Sequence, residues 1–591
     1  MKFVLQFISW LQCREHRMTY TEESQNPVGS TARLRGWLPA LLISLLISLV
    51  IISPSFRLGT ATGQDFLFHA SSWLDAAGQW KAGILYPRWT EWANYGFGEP
   101  RFIFYPPGSW MLGAALGLLL PWNSVPAVYI VLVQAFAGMS AFFLARRIFP
   151  RQAALFSAAC YAANPYALLI IYLRSDFAEL LANAVVPLVF LAALEVCGLM
   201  DGPDRGRGPS AGRAVTCFAA ALAAVWLANA PEGVIACYSS AAVFGFAALT
   251  RKSWQPVLRG AAGLALGLGL AGFYLLPAAY EQRWVNISEA LSSGLLPSEN
   301  FLFTVINDPE HTLFNWIASG IAVLLIVLAG LAAVAVHRTG REDQEAFANR
   351  AWQALLFLAG LATLLMLHVS NIFWDLLPKL RFVQFPWRWM GVLAVPFAVF
   401  LGGAIARRRW GWVWAVATFA VLGATGAALV HQGWWTKNDI PILRQEIARG
   451  EGFEGTFEYD PKGDDHTNIP VAKAPKVQVM DTDSTPGPNT PPVVRVERWS
   501  PEYKEVIANT REPFALGLRL LNYPAWQVRV NGAVVNPLDG EDFHQMLVPL
   551  QPGESHIQVR FRRTWDRWAG GIISLISCLV AFGVLRRRMS S

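Results

Sequence analysis

The run Pro106-Pro107-Gly108-Ser109-Trp110-Met111-Leu112-Gly113-Ala114-Ala115-Leu116-Gly117-Leu118-Leu119-Leu120-Pro121 decides how the rest of the chain is read. It is apolar enough for a membrane interior. Prolines bracket it, however, and it falls short of the about 20 residues that a hydrocarbon core of ~30 Å requires. Twelve other runs come within the range of a span: 36–53, 125–145, 152–173, 177–197, 214–230, 233–250, 258–280, 314–336, 352–368, 387–405, 411–430 and 568–585. Basic clusters punctuate them at Arg33/Arg35, Arg146/Arg147/Arg151, Arg205/Arg207/Arg213, Arg251/Lys252, Arg338/Arg341/Arg350, Arg407–Arg409 and Arg586–Arg588. If 107–121 crosses the bilayer, every cluster beyond it changes side. If it lies flat, all of them fall on one side, the distribution that the positive-inside bias selects. The second reading gives twelve spans, both termini in the cytoplasm, and 107–121 as a juxtamembrane helix.

Composition agrees with that count. Of 591 residues 54% are hydrophobic and 15% charged, against about 25% charged in an ordinary globular chain. The 25 Trp and 36 Phe suit the two membrane–water interfaces. Intrinsic disorder, a fibrous repeat and a disulfide-stapled secreted module are excluded. The net charge of +7 comes from clusters between apolar runs, so it encodes topology and does not imply nucleic acid. Five of the six cysteines fall in or beside apolar runs, and none lies in 431–566.

The expected organisation follows. Residues 1–35 are a cytoplasmic segment whose apolar patch Phe3–Leu11 is too short to span, with Met18 as an alternative start. Residues 36–430 form the membrane domain, with 54–124 as its first outer loop. Residues 431–566 hold 19 of the 41 acidic residues and form a water-facing domain, followed by a last span at 568–585 and a tail at 586–591. Within 431–566, the part from 437 to 491 reads as loop, Asp481-Thr-Asp-Ser-Thr-Pro-Gly-Pro being its extreme. Short alternating runs separated by Asn531-Gly532 and Pro552-Gly553 then predict a β-sandwich over 492–563.

Polar residues at span ends are the candidates for chemistry, because an ionisable group at membrane depth is costly. The first outer loop opens with Gly63-Gln64-Asp65-Phe66-Leu67-Phe68-His69, and the second is Arg174-Ser175-Asp176-Phe177-Ala178-Glu179. Both place acids at one rim. Asp65, Asp176 and Glu179 could divide general-base, acceptor-orienting and electrostatic duties; equally, Asp65 could cap the helix after it, and Asp176 and Glu179 the span 177–197. His69, the histidine nearest a candidate acid, is a candidate for binding substrate or its phosphate, or else a satisfied structural residue. Arg88, Arg101, Arg174, Arg381 and Arg388, with Tyr105 and Gln384, are the candidates for holding a phosphate. Arg381 and Arg388 could instead be interfacial anchors beside Trp387 and Trp389, and Arg174 a local ion pair. Gly263 and Gly267 have a spacing that suits close helix packing.

Taken together, a first span, an outer loop opening on an acid, the Tyr105-Pro106-Pro107 element and a second short acidic loop resemble the GT-C glycosyltransferase superfamily. The stretches Gly63-Gln64-Asp65-Phe66, Phe104-Tyr105-Pro106-Pro107, Arg174-Ser175-Asp176-Phe177-Ala178-Glu179 and Gln384-Phe385-Pro386-Trp387-Arg388 more closely resemble the bacterial membrane proteins labelled 6-pyruvoyl-tetrahydropterin synthase-related. The run Asn522–Gly532 is similar to the terminal β-domain of YfhO-type membrane proteins. The GT-C resemblance implies a polytopic transferase at the periplasmic face of the bacterial inner membrane. It would pass a sugar from a polyprenyl phosphate to a glycan, lipid or protein acceptor. Asp65 would be the general base, and a divalent cation (Mg or Mn) could sit on Asp65 and Asp176. Several such families carry paired acids in the first loop, whereas here a single Asp65 precedes His69. The alternative is a non-catalytic scaffold or lipid-linked glycan carrier in envelope assembly.

Overall fold

The computed structural model describes residues 30–200, 210–340, 350–406, 411–463, 466–471, 473–480, 488 and 490–586, with backbone alone at 30–35, 339 and 340. Phe3–Leu11, Met18, Cys13, Arg205, Arg207, Arg341, Arg407–Arg409, Arg587, Arg588 and Asp481–Gly487 lie outside the described residues, as do the side chains of Arg33 and Arg35. Among the described residues, ten helices are long and apolar enough to cross a membrane, and two bent helix pairs raise the number to as many as twelve. A β-domain of two sheets is inserted between the helices Gly411–Gln432 and Trp565–Arg586. The chain is a polytopic α-helical membrane protein with a C-terminal β-domain.

Two of the expected spans are not straight. The run 258–280 breaks by 77° between Gln255–Leu270 and Gly272–Trp284, and 352–368 breaks by 90° between Ala351–Leu365 and His368–Leu376. A break inside a bilayer exposes backbone groups that have no water to bond, so something must replace the lost ladder. At the first break it is Ser574 of the final helix, whose hydroxyl accepts from Phe273 N at 2.8 Å and lies 3.0 and 3.1 Å from the carbonyls of Gly269 and Leu270. Close approach makes this possible, because a Cβ on Gly269 would stand 2.3 Å from Ser577 Oγ. At the second break Ser370 and the Trp374 indole cover the carbonyl of Leu365. Gly263 and Gly267 face Phe218 and Ala219 across a helix interface that a side chain would block.

The apolar run after Pro106 forms the helix Pro107–Leu119. Its 13 residues span about 20 Å at 1.5 Å per residue, too little for a crossing. It lies against the helix Phe66–Lys81, where a Cβ on Gly113 would meet the Trp73 ring at 2.2 Å.

The mouth of the bundle is stitched to the loops above it. Strand β1 (Thr60–Ala61) pairs antiparallel with β2 (Trp435–Thr436), fastening the first loop to the end of Gly411–Gln432. The β-domain contains β3 (Val477–Met480), β4 (Val493–Ser500), β5 (Tyr503–Thr510), β6 (Phe514–Leu521), β7 (Trp526–Val530), β8 (Ala533–Val535), β9 (Leu538–Asp539), β10 (Gln545–Leu550) and β11 (Gly553–Phe561). The sheets run β3-β6-β10-β9 and β4-β5-β11-β7-β8, with every pairing antiparallel. Two elements overturn the reading of 437–491 as loop: the helix Asp439–Arg449, which buries Ile440 and Leu443, and β3, which extends the sheets beyond 492–563.

Alternation explains β5, whose Val506 and Ala508 point inward. In β6 every position is buried: Phe514, Leu516, Leu518 and Leu520 enter the core, while on the other face Gly517 lies under Met480 and Gln545 and Arg519 donates to Gly450 O and Ala474 O. Leu521 N donates to Phe97 O, Phe97 meets Phe543 edge-on, and Trp89 packs on Trp526 and Phe561. Trp89, Phe97, Ile103 and Phe104 thus share one hydrophobic core with the strands. Loop and β-domain pack as a unit.

Candidate active site

Two short segments at the mouth are laced backbone to backbone. The helix Arg151–Ala162 gives way to the turn Pro165–Leu169, started by Asn164 accepting from Ala167 N, and then to a π-helical turn at Ile170–Arg174. Such widened turns recur at functional sites. Ser175 follows in the left-handed region at φ +54°, a conformation that costs a non-glycine residue and is kept where surroundings impose it. Here its hydroxyl accepts from Gly63 N and contacts Ala61 O, both at 2.9 Å. Gln64 N and Asp65 N reach the carbonyls of Leu173 and Arg174. Gly63 has no room for a side chain, since a Cβ would lie 2.2 Å from Leu173 O.

The lacing sets Asp65 beside Arg174. Asp65 holds the N-cap position of Phe66–Lys81, yet its side chain makes no capping bond. Its carboxylate accepts from Arg174 Nη2 at 2.6 Å. Asp176 does cap, with Oδ1 accepting from Glu179 N at 2.9 Å. The capping alternatives are therefore divided: Asp176 takes that role, and Asp65 is released from it.

Around these acids a buried cluster closes. Arg174 reaches Glu179 at 3.0 Å and Asp176 at 3.6 Å besides Asp65. Arg388, from the turn Pro386–Trp389, reaches Glu179 at 3.1 Å and Asp176 at 3.6 Å, and donates to Val383 O and Gln384 Oε1. The Tyr166 hydroxyl donates to the second oxygen of Glu179. Phe385 and Trp387 lie over the Arg174 guanidinium at 5.1 and 5.0 Å, and Phe385 over that of Arg388 at 4.8 Å, distances at which a desolvated cation is attracted to a ring face. His69 Nε2 stands 3.4 Å from Asp176 Oδ1, with Ser109 Oγ 3.4 Å from its other nitrogen. Burial raises the Asp176 carboxyl, but His69, Arg174 and Arg388 outweigh it and hold the group below the ordinary carboxylate range. Asp65 alone is substantially open, with 35% of its side chain exposed.

The cluster floors a cavity of about 1320 Å³, enclosed by the first loop, the span mouths and the stretch Gly452–Tyr459 above. Asp65, Tyr105, Arg174, Asp176, Gln384 and Arg388 line it. Burial, then Asp176 and Asp65, push the Tyr105 phenol well above its usual range, so it stays a neutral donor. Arg101 also lines the cavity, but its guanidinium is engaged by Glu99 at 2.5 Å, Ser71, Ser72 and Thr456. Arg88 and Arg381 are corrected. Arg88 pairs with Glu502 of the β-domain at 3.3 Å, and Arg381 is half exposed with Asp375 at 4.0 Å. Neither lines the cavity, because each guanidinium turns toward another acid, Arg88 to the part-buried Glu502 and Arg381 to the exposed Asp375.

Three members were not singled out from the sequence. Tyr166 carries no motif. Glu232, whose backbone N–H donates to Asn229 Oδ1 at 3.0 Å, is fully buried, has no hydrogen-bond partner on either carboxylate oxygen among the described residues, and lies within electrostatic reach of Glu179, Asp176 and Arg388. An acid opening an apolar span was its available signal. Glu458 hangs from the cavity roof; burial first, with Glu99 and Asp65 adding and Arg101 opposing, pushes its carboxyl up to about 7.

The residues do not fit the divalent cation expected on Asp65 and Asp176. Asp65, Asp176 and Glu179 each already face a guanidinium, and among the described residues no group of three or more His, Cys, Asp or Glu side chains has a metal-holding arrangement.

A family model described as "6-pyruvoyl-tetrahydropterin synthase related domain; membrane protein" matches residues 102–436. No curated protein matches the sequence. Among solved structures, the chain is similar to the oligosaccharyltransferase of Archaeoglobus fulgidus tethered with an acceptor peptide (15% identity, TM-score 0.41, 73% of this chain and 61% of that one). It is similar to the same archaeal enzyme with an inhibitory peptide and a dolichol-phosphate (14%, 0.37, 71% and 56%). A third likeness is to the arabinofuranosyltransferase AftD from Mycobacteria (17%, 0.41, 70% and 29%). The chain spans less than two thirds of the length of each of these three.

Proposed function

This chain belongs to the family of 6-pyruvoyl-tetrahydropterin synthase related membrane proteins, and from that premise we propose that it is a glycosyltransferase of GT-C type. It takes a sugar from a polyprenyl-phosphate donor and passes it to an envelope glycan, lipid or protein acceptor. The observation that carries the reading is the opening of the Asp65 carboxylate, alone in its cluster, onto a cavity of about 1320 Å³. That exceeds the roughly 300–1,000 Å³ of a small-molecule pocket, and leaves room for two substrates to meet. The Lys/Arg distribution supports a periplasmic placement of this mouth, with both termini in the cytoplasm of a bacterial inner membrane.

The proposed chemistry follows from the cluster. The donor enters between spans with its phosphate against Arg388, Gln384 and Arg174. Because Arg174 contacts Asp65 in the free protein, the arriving phosphate competes for that guanidinium and releases the carboxylate. Asp65 then takes the proton of the acceptor hydroxyl as it attacks the anomeric carbon. The carbon–oxygen bond to the phosphate breaks with inversion, and both arginines stabilise the charge that develops on the leaving lipid phosphate. Asp176, held ionised by His69 and the arginines, orients the pair.

Membranes carrying Asp65→Asn, supplied with labelled polyprenyl-phosphate sugar, are expected to lose transfer by about 10³-fold, within the range for a general base. Transfer at the wild-type rate would overturn the assignment. Donor binding without transfer in the wild-type protein would instead favour the carrier or scaffold.

A further inference from the structure

We infer that Arg174 stands where a divalent cation would bridge the acids, so that the reaction centre runs on a built-in organic cation and takes no Mg²⁺ or Mn²⁺. The argument begins with what a cation site needs: converging carboxylate oxygens and room for water. The carboxylates are present. Asp65 Oδ2, Glu179 Oε2 and Asp176 Oδ2 converge from two loops and one span, at 2.6, 3.0 and 3.6 Å from Arg174 nitrogens. The point they share is filled by the guanidinium.

Three observations keep it there. Arg174 is tethered two residues before Asp176, so the turn that supplies the second-loop acid also supplies its counter-charge. Phe385 and Trp387 lie over the guanidinium within about 5 Å. Mg²⁺ retains several waters when bound, and those rings leave it a dry face. Lastly, Arg388 reaches the same oxygens as Arg174, Asp176 Oδ2 at 3.6 Å and Glu179 Oε2 at 3.1 Å, so an added divalent ion would meet two fixed positive charges. An arginine cannot lose its proton here and grips carboxylate and phosphate with the same planar fork. It can therefore screen the leaving phosphate as a metal would.

The inference rests on reading this cluster as the reaction centre, but its test is a binding measurement and does not depend on transfer. The purified full-length protein in detergent is titrated with MnCl₂ by electron paramagnetic resonance, beside Arg174→Ala, Arg174→Lys and Asp65→Asn, and melting is followed with and without EDTA. Wild type is expected to show no Mn²⁺ site that Asp65→Asn removes, and a melting temperature indifferent to EDTA. Arg174→Ala, whose acids have lost their cation, is expected to bind Mn²⁺ at least about tenfold more tightly than wild type and to melt higher when it does. Arg174→Lys is expected to behave as wild type. A wild-type Mn²⁺ site abolished by Asp65→Asn would overturn the inference, as would a folded Arg174→Ala protein that gains no Mn²⁺. If Arg174→Ala does not fold, its rescue by MnCl₂ or by guanidinium ion supports the inference. Failure of both, with wild-type melting shifted by EDTA, overturns it.

Discussion

Two buried acid–arginine clusters occupy the same end of this molecule, and they differ in what they leave undone. One joins Asp65, Asp176 and Glu179 to Arg174 and Arg388. The other centres on Glu281, which receives Arg567 twice at 2.7 Å, the Tyr523 hydroxyl at 2.6 Å and Thr564 at 3.4 Å. The second is closed: every partner of Glu281 comes from the β-domain or the helix that follows it, and the carboxylate is fully buried. It fastens the β-domain to the bent helix. The first has aromatic faces on its cations and one carboxylate open to a cavity. A buried ion pair is therefore no sign of function by itself. A carboxylate of the cluster left open to a cavity is the better sign.

The contrast can be broken experimentally. The largest separation is expected from Asp65→Asn against Arg567→Ala. The first should lower transfer by about 10³-fold and leave the melting temperature unchanged. The second should lower stability by about 3–5 kcal/mol, the usual consequence of stranding one member of a buried pair. Melting and transfer assays on the two proteins check this, and a Arg567→Ala protein that melts like wild type would erase the distinction. Tyr523→Phe should cost less, about 1–3 kcal/mol, as one donor is withdrawn from a buried carboxylate. A pH-dependent effect is expected at the cavity roof. Burial raises the Glu458 carboxyl to about 7 from its ordinary 4.5. A raised folded-state value favours the fold below the unfolded value and loses that contribution as pH climbs through the folded one. Glu458→Gln should therefore match wild type near pH 4.5, melt progressively higher than it as pH climbs from 4.5 to 7, and keep a constant lead above that. Parallel melting curves from pH 5 to 8 would contradict that placement.

The helical layout was legible because a bilayer imposes one length and one polarity on everything that crosses it. The same rule explains why Asp65, Asp176 and Arg388 could be expected near one another: each lies at the end of an apolar run at the same rim. The bends at 271 and 366 were not legible. They depend on Ser574 arriving from the final helix and on Trp374 folding back from just beyond the second break to bond the opened backbone, and hydropathy carries no record of partners. Arg88 and Arg381 failed for a related reason. Being on the right side does not tell which way a long side chain turns, and each found a nearer acid. The helix Asp439–Arg449 was hidden among the Gly-, Asp- and Pro-rich flanks that made its surroundings read as loop. The four-residue strand Val477–Met480 is too short for alternation to be counted.

The core shared by Trp89, Phe97, Ile103 and Phe104 with strands beyond residue 500 sets a timetable. These early side chains leave the ribosome long before their partners exist. At ~5–20 residues per second the wait from Trp89 to β6 is roughly 20–80 s. Through that interval the first loop carries large unpaired aromatic surface. Its packing is completed only when the last strands are delivered.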